Sequence, residues 1–149
     1  KSNDITENIN EILNKEKEFG LDSMAKYLEF SKNVKIIKNQ LNNFFKNIKK
    51  PSEKVVCYGA AAKGNTLLNY CEIGNSMIEY VVDRNEYKQG LYLPGTHIPI
   101  KSPEEIIKTK PDYVLILPWN LKDEIMVQMK IIREWNGKFV IPIPEVKVY

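Results

Sequence analysis

Apolar residues fall at three-and-four spacing through the first third of the chain and in short β-branched runs through the rest. Ile5, Ile9, Ile12, Leu13 and Phe19 predict a short first helix, and Gly20 with Asp22 reads as one helix stopping and the next being capped. From Asp22 to Ile48 the set Met24, Tyr27, Leu28, Val34, Ile37, Leu41, Phe44, Phe45 and Ile48 predicts a longer helix with one stripe to bury. Beyond Pro51 the runs 54–58, 78–82, 98–100, 113–117 and 139–143 read as strands separated by turn signals and helical stretches. A helix is expected over 66–71. A second opens with Ser102 as N-cap, Pro103 at the first helical position and Glu105 closing a capping box. A third starts at Asn120 and Asp123, runs to Trp135 and is stopped by Asn136-Gly137.

The predicted fold is therefore α/β: a Rossmann-like three-layer sandwich with a mostly parallel five-stranded sheet, preceded by an N-terminal two-helix arm. Residues 1–50 form the arm and residues 51–149 the sheet domain.

Composition narrows the class. With 149 residues, 43% hydrophobic and 28% charged, the chain has enough apolar surface for a core and is neither disordered nor collagen-like. No apolar run reaches the roughly 18 residues of a membrane span and the N-terminus lacks a signal-peptide centre, so a cytoplasmic location is expected. The first residue is Lys1 rather than Met, which suggests a piece of something longer. Cys57, Cys71 and the single His97 are too few for the usual four-ligand zinc site, and two buried free thiols are favoured over a disulfide.

Charge is unevenly placed. Residues 1–25 carry 3 basic and 6 acidic side chains, residues 26–50 carry 7 and 1, and residues 51–149 carry 12 and 12. Lys35, Lys38, Lys46 and Lys49 are expected on one face opposite the apolar stripe. That face would suit phosphate, nucleic acid or a protein partner, although an ordinary solvated helix face is the favoured reading in a Lys-rich, Arg-poor chain.

The strongest local signal is the strand 55–58 followed by Gly59-Ala60-Ala61-Ala62-Lys63-Gly64-Asn65-Thr66. Gly59, Ala61 and Gly64 occupy the three positions of G-x-G-x-x-G, with Ala at the second. In that motif the turn and the following helix N-terminus offer backbone N–H groups to a phosphate. Asp83, 19 residues past Gly64, stands where an acidic side chain accepts from ribose hydroxyls. The segment is not a P-loop, because Lys63 precedes the second Gly. The bland alternative is a tight strand-to-helix connection without a ligand.

Other candidates lie where the strands are expected to end. Arg84 can pair with phosphate as a fork, Trp119 can stack on a base or sugar or simply pack, and Asn120 reads as an N-cap. His97 can exchange protons near neutral pH but has no identifiable partner. No triad, carboxylate dyad or metal cluster is visible.

Gly59–Thr66, Tyr80-Val-Val-Asp-Arg-Asn85, Gln89-Gly90, Leu93-Pro-Gly-Thr-His-Ile-Pro99 and Pro111-Asp-Tyr-Val-Leu-Ile-Leu-Pro-Trp-Asn120 occur in this order. Together they resemble the C-terminal domain of S-adenosylmethionine-dependent sugar-nucleotide C-methyltransferases. The resemblance implies a domain that holds a nucleoside-diphosphate sugar, usually a dTDP-linked keto-deoxyhexose, beside an upstream methyltransferase domain of the same chain. It places S-adenosylmethionine, zinc and the catalytic base in that missing part, so no cofactor and no catalytic residue is expected here and the piece alone should be inactive. The substrate-holding residues it implies are Gly59, Ala60, Ala61, Lys63, Gly64, Asn65, Thr66, Asp83, Arg84, His97, Trp119 and Asn120. A free-standing dinucleotide-binding regulatory module remains the alternative, and a nucleic-acid or protein-interaction module using the Lys-rich helix is the weaker one.

Overall fold

The computed structural model describes residues 7–48 and 53–149. Ile5, Lys49 and Pro51 lie outside the described residues. The chain divides into two compact units, Lys1–Ile36 and Ile37–Tyr149.

In the first unit, α1 (Glu7–Phe19) carries no buried residue. Gly20, at φ +84°, ends it in the left-handed region that glycine adopts without steric cost. The second helix, α2 (Met24–Asn47), begins directly after Ser23, whose hydroxyl donates to the Gly20 carbonyl at 2.9 Å, so Asp22 stands outside the capping position. Lys26 lies 4.3 Å from the Phe19 ring centroid and pairs with Glu29 at 3.0 Å.

The second unit takes in the C-terminal part of α2, where the apolar stripe is buried. Leu41 is fully buried, and Phe44 meets the Tyr113 ring edge-on at 5.3 Å between centroids. The sheet strands are β1 (Val55–Tyr58), β2 (Val81–Val82), β3 (Ile100–Lys101), β4 (Tyr113–Ile116), β5 (Lys138–Ile141) and β6 (Lys147–Val148). Their order is β3-β2-β1-β4-β5-β6, with β1 to β5 parallel and β6 antiparallel to β5. The sheet thus has six strands where the sequence suggested five; the sixth is two exposed residues with no alternation to betray it.

Alternation across the pleat divides the core. Cys57, Val81, Leu115 and Val140 face α3 (Ala62–Cys71) and Leu41 of α2. Val56, Val82, Val114, Ile116 and Phe139 face the side of α4 (Glu104–Thr109), α5 (Lys122–Gln128) and a 3-10 segment Lys130–Trp135. Between β2 and β3 no α-helix forms. A 3-10 turn Glu86–Lys88 and a bridge between Tyr92 and Pro99 replace it, burying Leu93 and Ile98 on the α3 face.

Two local expectations are revised. The helix expected from Asn120 to Trp135 is broken into a 3-10 turn Trp119–Leu121, α5 and the segment Lys130–Trp135, which ends at Asn136 with φ 62°. The capping box before α4 does not close: Pro103 sits at the cap without a side-chain bond, and Lys101 and Lys108 hold the Glu105 carboxylate at 3.1 and 3.5 Å. Cys57 and Cys71 are buried free thiols. No helix among the described residues is long and apolar enough to cross a membrane.

Candidate functional site

A sheet ordered 3-2-1-4-5 reverses direction between β1 and β4, and parallel α/β sheets bind ligands beside the carboxyl ends of the strands at that reversal. The turn from β1 to α3 lies there. Gly59 has φ +88°, and a Cβ on it would stand 2.6 Å from Cδ of Pro118, so the turn needs glycine for both conformation and close approach. Gly64 is buried against Leu117, which seats the first turn of α3 on β4. Both glycines thus serve the fold's own packing.

The amides of this turn sort into spent and free. Ala60 N–H donates to Asp83 Oδ2 at 2.8 Å and Ala61 N–H to the Gly59 carbonyl at 2.9 Å. Asn65 N–H makes the first bond of the helix, to Ala61, and Ala61 supplies no side-chain cap. The N–H groups of Ala62, Lys63 and Gly64 therefore have no acceptor among the described residues, and they stand at the positive end of the α3 dipole.

Lys63 extends from this end. Its ammonium donates to Asn120 Oδ1 and lies 4.5 Å from the Trp119 ring centroid. Asn120 is therefore a lysine acceptor within a 3-10 turn and not the N-cap of a helix. Asn65 and Thr66 turn back on their own helix: Thr66 Oγ1 donates to the Ala62 carbonyl at 3.2 Å and Asn65 accepts from Asn69 Nδ2.

On the other side of the turn a cleft of about 280 Å³ is lined by Tyr58, Gly59, Ala61, Asp83, Arg84, Pro118, Leu121, Glu124, Ile125 and Gln128. Tyr58 Oη donates to Gln128 Oε1 at 3.3 Å, and Gln128 Nε2 donates to Glu124 Oε1 at 2.7 Å. Burial pushes the Tyr58 phenol up, against the lowering effect of the Arg84 charge. The Arg84 guanidinium has no hydrogen-bond or ion-pair partner among the described residues. Asp83 is the opposite case: its Oδ2 takes the Ala60 amide and the Lys88 ammonium, the latter at 3.2 Å, and its Oδ1 takes the Asn85 amide at 2.8 Å.

The structure thus gathers Gly59, Ala61, Asp83 and Arg84 around one cleft, with Lys63, Trp119 and Asn120 as a second cluster that shares the turn. His97 does not line the cleft. It is exposed at φ 54° in the turn between Leu93 and Ile98, and the neighbouring Pro94 carbonyl is held by Asn69 of α3. Tyr58, Gln128 and Lys88 escape a sequence reading because strand register and a turn bring them in. The Lys-rich face of α2 is not one solvated surface. Lys38 is half-buried, pairs with Glu72 at 2.6 Å and lies 5.1 Å from the Tyr70 ring centroid, whereas Lys35 and Lys46 are exposed.

Comparison with known proteins gives three findings. The family model described as the C-methyltransferase C-terminal domain matches residues 1–144. C-methyltransferase NovU of Streptomyces niveus is 36% identical over 138 residues, which is 93% of this chain and 33% of that protein, so the chain spans about a third of the relative's length. A crystal structure of UDP-D-quinovosamine 4-dehydrogenase from Vibrio fischeri is 22% identical with a TM-score of 0.45, covering 62% of this chain and 79% of that one.

Proposed function

This chain belongs to the family of C-methyltransferase C-terminal domains, and from that premise we propose that it is the substrate-holding part of an S-adenosylmethionine-dependent enzyme that C-methylates a nucleoside-diphosphate keto-deoxyhexose, dTDP-linked. The upstream methyltransferase domain of the same chain is its partner and supplies the methyl donor and the catalytic base. Zinc belongs to that upstream part too. The reaction takes place in the cytoplasm.

The observation that carries the reading is the N-terminus of α3, with three amides unpaired among the described residues, beside Lys63 at the reversal of the sheet. A diphosphate satisfies these donors better than any neutral group, because dipole and charge act in the same direction. Gly59, Ala60 and Ala61 shape the turn, Gly64 seats the helix, and Asn65 and Thr66 continue its first turns. Lys63 adds a point charge, and Arg84 reaches the phosphates from the cleft side as a planar fork. Trp119 and Asn120 set the position of Lys63. The cleft between Tyr58 and Gln128 receives a ring of the ligand, and holding it there gives the neighbouring domain an oriented substrate.

Isothermal titration of this chain with dTDP, UDP and S-adenosylmethionine, repeated on Lys63→Ala, tests the reading. The diphosphates bind, the methyl donor does not, and loss of Lys63 weakens diphosphate binding. Thermal melting provides a second readout, since a ligand at 100 times its dissociation constant adds about 2.7 kcal/mol of stability. Diphosphate affinity unchanged in the variant, or binding of S-adenosylmethionine alone, overturns it.

A further inference from the structure

We propose that Lys88 occupies the second-nucleoside half of the crevice and thereby restricts the site to ligands carrying one nucleoside. This rests on the reading that the crevice takes a nucleotide, and it names a specificity residue that neither the glycine pattern nor the cleft lining includes.

In a sheet of this order a dinucleotide spans the reversal, and an acidic side chain at the end of β2 accepts the ribose hydroxyls of one nucleoside. Asp83 stands at that place, directly after β2. An ionised carboxylate offers about four lone-pair positions. Here Ala60 N–H and Lys88 Nζ take two on Oδ2, at 2.8 and 3.2 Å, and Asn85 N–H takes one on Oδ1, at 2.8 Å. A ribose diol needs two acceptor positions and finds one. Exposure agrees, since only 14% of the Asp83 side chain is open to solvent.

Lys88 does more than neutralise Asp83. Its ammonium also donates to the Ala60 carbonyl at 3.0 Å, so it reaches from the 3-10 turn after β2 to the glycine turn after β1. The Ala60 peptide is held from both sides, its N–H by Asp83 and its C=O by Lys88. Gln89 Nε2 braces the same corner by donating to the Asp83 carbonyl at 3.0 Å. A ribose approaching Asp83 must displace an ammonium with two acceptors, whereas a diphosphate on the α3 amides leaves that bridge intact. The half of the crevice on the β4 side, between Tyr58 and Pro118, stays open.

The test is calorimetric titration of the whole chain with dTDP and with the dinucleotide NADH, on wild type, Lys88→Ala and the near-isosteric Lys88→Met. Wild type is expected to bind dTDP at least about a hundredfold more tightly than NADH. Either variant should gain about tenfold or more for NADH while dTDP stays within about threefold, and adding Asp83→Asn should cancel the gain. A purely structural role would weaken both ligands together. The proposal is overturned if wild type binds NADH about as well as dTDP, or if a variant that melts cooperatively shows no gain for NADH. Absence of dTDP binding throughout would sink the proposed function, and the NADH gain would then decide on Lys88 by itself.

Discussion

Gly64 and Leu117 pack so closely that a Cβ on the glycine would stand 2.5 Å from the Leu117 Cβ. One methyl group there forces α3 off β4 and moves the unpaired amides with it. Gly64→Ala is therefore expected to cost roughly 1–3 kcal/mol, the usual range for overpacking. Urea titration checks this, and an unchanged midpoint would mean that the helix start is looser than its packing implies.

Arg84 separates binding from stability. Its guanidinium is exposed and unpaired among the described residues, so Arg84→Ala should leave the melting temperature within error. Diphosphate affinity should fall about tenfold, equivalent to about 1.4 kcal/mol. Calorimetry at two salt concentrations checks both, because the contribution of an exposed charge shrinks as salt rises. Loss of stability without loss of affinity would remove Arg84 from the site.

Tyr80 sets an alkaline limit. Burial pushes its phenol up to about 12, with the Thr109 hydrogen bond opposing and the Glu105 and Glu79 charges adding to the rise. The unfolded chain ionises this phenol near pH 10 while the folded chain holds the proton, so the unfolded state binds fewer protons in that window. Stability contributed by Tyr80 is present in full below pH 10 and is lost as pH climbs towards about 12. Chemical unfolding between pH 9 and pH 12 should show a steeper fall for wild type than for Tyr80→Phe, and parallel curves would contradict the assignment.

Two leucines of α2 test the division of the chain. Leu41 is fully buried against the sheet and Leu28 is 57% exposed. Leu41→Ala should cost about 2–5 kcal/mol. Leu28→Ala should stay within about 0.5 kcal/mol. Equal effects in thermal melts would mean that the whole helix belongs to one packed body.

The glycine turn was legible in the sequence because Gly59 and Gly64 each answer a local requirement, one for positive φ and one for close helix-to-strand approach. The strands β1, β4 and β5 were legible for a similar reason, as continuous apolar runs buried on both faces. Leu41 and Phe44 were marked by helical periodicity, although the pattern could not show that these are stripe residues packed on the sheet. What stayed hidden depends on register. Tyr58 reaches Gln128 across 70 residues, and Lys88 reaches Ala60 across 28, from a 3-10 turn with no periodic signal. Asn120 was read as a cap because Asn before Asp commonly is one, but a nearby ammonium is the stronger claimant for its oxygen.

The brevity of β2 and β3, two residues each beside four-residue β1 and β4, has a dynamic consequence. Few ladder bonds and no helix between them let this margin open at a lower free energy than the centre of the sheet, so its amides should exchange with deuterium well before those of β1 and β4. Asp83 and Lys88 both lie on that margin, and their bridge to Ala60 ties it to the turn after β1. A diphosphate spanning the α3 amides and Arg84 would therefore slow exchange along β2 and β3, so that occupancy of the crevice is read out as rigidity at this border of the sheet.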